Sequence, residues 1–147
     1  MNDSKSQRLQ PVARHAASLE QEAALALGAS QRELDARRLR LQELLNYRDE
    51  YARRMHERGR SGVGAGTLQE YRNFLGRITT AIEQQQQLVA AAERECERRR
   101  QAWCQRHTRT EALGKVIDAH RSEEHRRDGR KEQKENDERA GRRREPH

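Results

Sequence analysis

From Leu68 to Ile117, key positions recur at alternating spacings of three and four residues without a slip, and this constrains the fold more than any other feature. The series runs Leu68, Tyr71, Leu75, Ile78, Ile82, Gln85, Val89, Ala92, Cys96, Arg99, Trp103, Arg106, Thr110, Leu113, Ile117. A repeat of about 3.5 residues keeps one seam of a helix turned toward one partner helix over many turns, which is the pattern of a coiled coil.

A matching series precedes it: Leu9, Val12, Ala16, Leu19, Ala23, Leu27, Ser30, Leu34, Arg37, Leu41, Leu44, Arg48, Tyr51, Met55. Two successive steps of four around Ala23 form a stutter, which locally unwinds a left-handed supercoil. Between the two series lies Arg58-Gly59-Arg60-Ser61-Gly62-Val63-Gly64-Ala65-Gly66. Each glycine costs a helix about 1 kcal/mol relative to alanine, so this run predicts a break. Thr67-Leu68-Gln69-Glu70 then reads as a capping box, with Thr67 as N-cap and Glu70 reaching back to it. The expected fold is all-α, a long two-helix antiparallel coiled-coil hairpin, helical over about residues 5–57 and 67–125 with a loop at about 58–67. Facing layers restrict the register to steps of a heptad. The favoured register sets Tyr51 against Leu75, Leu44 against Ile82, Leu34 against Ala92 and Ala23 against Trp103; the register one heptad away sets Trp103 against Ala16.

Composition agrees with an elongated pair rather than a globule. Hydrophobic residues make up 32% and charged residues 37% of the 147, and only five aromatics are present. That is too little apolar volume for a compact core, but one stripe per helix is affordable. The hairpin is expected over residues 1–120, and 121–147 as a charged C-terminal extension, a frayed helix or disordered: after Ile117 the seam fades, and from Arg121 to His147 the only apolar residue is Ala140. No apolar run approaches the roughly 18 residues that a membrane span needs, and the polar stretch from Met1 to Gln10 has no secretory core, so a cytoplasmic chain is the simplest expectation. On one helix Cys96 and Cys104 stand roughly 12 Å apart along the axis, too far for a disulfide. The net charge of +7 arises from 31 basic residues interspersed with 24 acidic ones. Such mixing reads as a solvated helical surface with i,i+4 pairs and disfavours a nucleic-acid site, leaving room only for a weak, salt-sensitive attraction to polyanions.

Catalytic motifs are missing: there is no P-loop, Gly-x-Gly-x-x-Gly, Gly-x-Ser-x-Gly or His-Glu-x-x-His, so no enzyme, cofactor or small-molecule substrate is expected. Cys104-Gln-Arg-His107 is half of a metal site with no second pair nearby, and it reads as two solvent-facing polar residues. His120 and Glu124 read the same way. Arg98-Arg99-Arg100 is mixed with Glu93, Glu95 and Glu97, unlike the dense basic block of a DNA-binding zipper. The aromatics are more informative. Tyr51, Tyr71 and Trp103 occupy the seam, whereas Phe74 sits beside it, and Ala81 and Leu88 repeat its position at seven-residue intervals. Phe74 lies close to the glycine loop, where few residues of the first helix are expected to cover it. The strip reads either as packing covered by side chains from across the hairpin or as a docking surface for another protein, and Phe74 is the candidate for that surface.

The stretch from Leu44 through Tyr47 and Tyr51, the glycine-bearing loop, then Leu68 through Tyr71, Phe74 and Leu75 to Ala81-Ile82-Glu83-Gln84, resembles the flagellar export protein family FliJ. The resemblance implies a soluble adaptor and stalk component of the bacterial flagellar type III export apparatus. It implies contacts with the export ATPase hexamer (FliI), the export gate protein FlhA and substrate chaperones, on the cytoplasmic side of the cell membrane. It also implies a gate contact at the beginning of the second helix, which maps onto Tyr71, Phe74 and Ile78. The alternatives are the equivalent rod of a virulence type III secretion system and a basic, nucleic-acid-binding coiled coil.

Overall fold

The computed structural model describes residues 4–144. Two helices account for nearly all of them: α1, Lys5–Arg60, and α2, Ala65–Arg144, of 56 and 80 residues. The fold class is all-α, a helical hairpin, with no strand among the described residues. Among the described residues, no helix is long and apolar enough to cross a membrane. Packing divides the described residues into two units, residues 24–102 and residues 4–23 with 103–144.

The unit of residues 24–102 contains the turn. Helix α1 runs past the predicted stop at 57 because Gly59 stays helical, and the chain reverses over residues 61–64 only. The Ser61 amide and hydroxyl both donate to the Arg58 carbonyl, at 3.1 and 3.0 Å, and Gly62 takes φ of 87°, a left-handed conformation that only glycine adopts without strain. Arg58 and Arg60 lie in the last turn of α1, where positive charge complements the helix dipole. Helix α2 opens two residues before the predicted cap, with the Leu68 amide donating to the Gly64 carbonyl at 3.1 Å. The expected capping box at Thr67 and Glu70 therefore does not form: Thr67 is already inside the helix. Of the glycines in the run, one supplies the sharp reversal and Gly59 and Gly66 are absorbed into helix, which satisfies more backbone groups than the longer loop would.

Leu34, Ile78, Ile82 and Val89 form the buried seam of this unit. Burying a side chain the size of Ile82 contributes about 1.5–3 kcal/mol. Gln85 is buried among them, and its amide donates to the Arg37 carbonyl at 3.0 Å, so its polar group is satisfied. A helical carbonyl points toward the residue four further on, here Leu41, which is where the favoured register places Gln85. Ser30 and Glu33 share a shallow groove with Ala92, Glu95 and Arg99, consistent with that same register. The exposed ion pairs Arg38–Glu93 at 3.3 Å, Arg37–Glu33 at 2.8 Å and Arg99–Glu95 at 2.8 Å decorate the outside. Exposed pairs of this kind contribute little individually.

In the other unit, Ser4 caps α1 through a reciprocal box. The Gln7 amide donates to the Ser4 hydroxyl at 3.3 Å, the Ser4 amide donates to Gln7 Oε1 at 3.1 Å, and the Arg8 amide begins the ladder on the Ser4 carbonyl. Pro11 lies two turns in, so the Gln7 carbonyl receives no amide from position 11. Ala16 and Ile117 are buried. Glu20 meets His107, one residue from the partner the favoured register gives it and about two turns from the one a heptad away. Helix α2 continues through the charged extension to Arg144, and no residue described after Glu124 is even half-buried.

Candidate partner-binding site

The aromatic side chains near the turn gather into one cluster in the unit of residues 24–102. Tyr47 and Tyr51 are four residues apart and so share a face of α1. Tyr71 and Phe74 are three apart on α2. Tyr51 stacks on Tyr71 with ring centroids 5.6 Å apart and planes 17° from parallel. Phe74 lies 4.1 Å from Tyr51 and meets Tyr47 edge-on at 5.5 Å and 72°. Edge and offset contacts of this kind satisfy the ring quadrupoles and add to simple area burial.

The three residues assigned to partner binding separate on this geometry. Tyr71 is half-buried and lines an open groove of about 610 Å³ with Ala52, Met55, His56, Val63 and Leu68. Phe74 is half-buried too, but the expectation that little of α1 covers it needs correction, because Tyr47 and Tyr51 both reach across the seam onto its ring. Ile78 is 6% exposed and belongs to the core, so it presents no surface for a partner. Tyr47 was not assigned to the site, although its spacing from Tyr51 signals the shared face. It is 52% exposed and, with Leu68 at 41%, forms the accessible apolar surface beside the turn. Arg54 is paired with Glu50 at 2.7 Å nearby. The cluster carries no nucleophile positioned by a base; what it provides is an apolar and aromatic contact surface.

Two polar arrangements in the other unit also differ from the sequence expectation of solvent-facing residues. His107 bridges Glu20 on α1 at 2.5 Å and Glu111 on α2 at 3.1 Å, and stacks on Trp103. The Glu20 hydrogen bond raises its pKa above the ordinary histidine value, and the reciprocal bond lowers that of Glu20. Glu124 accepts from the Ser6 hydroxyl at 2.7 Å and from the Ser6 amide at 3.2 Å. That amide is one of the first-turn donors with no intrahelical partner, so a carboxylate from α2 completes the N-terminus of α1 and meets the positive end of its dipole. The Ser6 hydroxyl bond is the main reason the Glu124 carboxyl sits below its ordinary pKa, with the Ser6 amide adding to it. No sequence motif pairs residues so distant in the chain, and only the register brings them together. Among the described residues, no group of three or more His, Cys, Asp or Glu side chains is placed to hold a metal ion.

The model of one protein family, described as Flagellar FliJ protein, matches residues 4–145 of this chain. Among curated proteins and among solved structures, nothing matches it significantly.

Proposed function

The chain belongs to the FliJ family of flagellar proteins, and on that premise we propose that it is a non-catalytic adaptor and stalk component of the flagellar type III export apparatus. A flagellar, export-related role follows from the family itself. The finer reading is that it promotes assembly of the export ATPase hexamer, FliI, contacts the export gate protein FlhA and escorts substrate chaperones, working on the cytoplasmic face of the membrane. The observation that carries this reading is the family match across nearly the whole chain.

The geometry supports a contact role at the turn. Tyr47 and Leu68 offer exposed apolar surface against a cluster that is already packed, so a partner gains rigid aromatic area at a small entropic cost. Mixed-sign charge along both helices supports interaction with proteins over polyanions. The test is retention of the chain on immobilised export ATPase and on immobilised gate protein at about 150 mM salt, beside a heparin column. Retention on the two proteins and passage through heparin agrees with the proposal. Retention on heparin alone overturns it in favour of a basic coiled coil that binds nucleic acid.

A further inference from the structure

Each ring nitrogen of His107 faces a carboxylate: Nδ1 is 2.5 Å from Glu20 on α1, and Nε2 is 3.1 Å from Glu111, one turn further along α2. A neutral imidazole has one N–H and one lone pair, so it can donate to only one of them. Donating to both requires the imidazolium. The indole of Trp103 lies parallel to the ring, centroids 5.0 Å apart and planes 13° from parallel, and its π face favours the same charged form. The charged group facing His107 from α1 is Glu20, and from its own helix Glu111; the Thr110 hydroxyl also acts on Glu20. Once the proton leaves, a ring lone pair is turned toward one carboxylate, and Glu20 and Glu111 are left as like charges on either side of a neutral ring.

We propose that Glu20, His107 and Glu111 form a proton-controlled clasp that holds the N-terminal arm of α1, residues 5–23, against α2. The clasp is closed while His107 is an imidazolium and opens when that proton is lost.

The direction of the pH dependence follows from the two partners. His107 is raised by the Glu20 hydrogen bond, so its stabilisation is complete below the ordinary value of 6.5 and is lost as pH rises through its higher folded value. Glu20 is lowered by the His107 hydrogen bond, so its stabilisation is present above the ordinary 4.5 and is lost only as pH falls through its lower folded value. The clasp therefore opens on the alkaline side. Glu124 is also lowered, so its bonds to Ser6 persist across that opening, and the first turn of the arm stays held while its middle loosens.

The protein carries its own reporter, because Trp103 is its single tryptophan and a stacked imidazolium quenches indole emission. On the full chain, emission should rise with pH along one sigmoid whose midpoint lies above 6.5. Glu20→Gln, which keeps size and hydrogen bonding but removes the charge, should move that midpoint down, and His107→Gln should abolish the transition. Amide exchange across residues 8–20, corrected for the intrinsic effect of pH, should quicken severalfold above the midpoint in the parent and show no such step in His107→Gln. Circular dichroism on each variant checks that helicity is kept. Emission and exchange moving together establish the clasp. A midpoint at or below the ordinary histidine value overturns it. So does an emission transition with no change in exchange, because His107 would then ionise without holding the arm.

Discussion

Phe74→Ala removes the ring at the centre of the aromatic cluster, and its cost can be worked from the packing around it. Emptying a fully buried phenylalanine site costs about 3–5 kcal/mol. Phe74 is half-buried, and its ring keeps close contact with Tyr51 at 4.1 Å and an edge contact with Tyr47 at 5.5 Å. Roughly two-thirds of the full loss, about 2–3 kcal/mol, is therefore expected. For a chain of this size that lowers the thermal midpoint by on the order of 5–10 °C. Far-ultraviolet circular dichroism during heating reads the change directly. Tyr47→Ala, at a position already 52% exposed, should cost less, about 1 kcal/mol. The double variant should show a coupling of about 0.5–1.5 kcal/mol, from the ring pair itself. An unchanged midpoint for Phe74→Ala would refute this packing and would restore Phe74 as a side chain held out for a partner. If the midpoint falls, the proposed contact with the gate protein is better probed through Tyr47, where surface can be removed with less loss of core.

Glu124→Ala should quicken amide exchange at Ser6 severalfold without changing exchange near the turn; hydrogen exchange resolved by residue checks this, and equal exchange in the two proteins would mean that Glu124 does not cap α1. Because the Glu124 carboxyl is held below its ordinary pKa, the same loss should occur in the parent on acidification through that lowered value, and none should occur near neutral pH. Gln85→Leu should raise the thermal midpoint by a few degrees, since the Arg37 carbonyl keeps its intrahelical partner and the seam gains apolar burial of about 1 kcal/mol. A lowered midpoint would show that the bond from Gln85 outweighs that burial.

The sequence by itself determined the class of fold and the two seams, because periodic spacing is a local property that each helix carries before it meets the other. Of the seam positions read from that spacing, only Val12, Leu68, Arg99 and Arg106 are exposed; all the others are buried or half-buried. The register was also legible, since the heptad allowed few alternatives and the bonds of Gln85 and His107 agree with the one favoured. Helix ends were less so. Glycine composition marked the reversal but not which glycine would make it, because a helix can absorb Gly59 and Gly66 once neighbouring backbone groups are satisfied, and only Gly62 adopts a positive φ. Tertiary structure alone decided what stands opposite what beyond the seam. The cover of Tyr47 over Phe74, the Glu124 cap on Ser6 and the His107 bridge from Glu20 to Glu111 each join residues far apart in sequence. Side chains flanking a seam share its heptad, but which of them meet is set by the way the two helices come to lie against each other and by nothing legible in either helix alone.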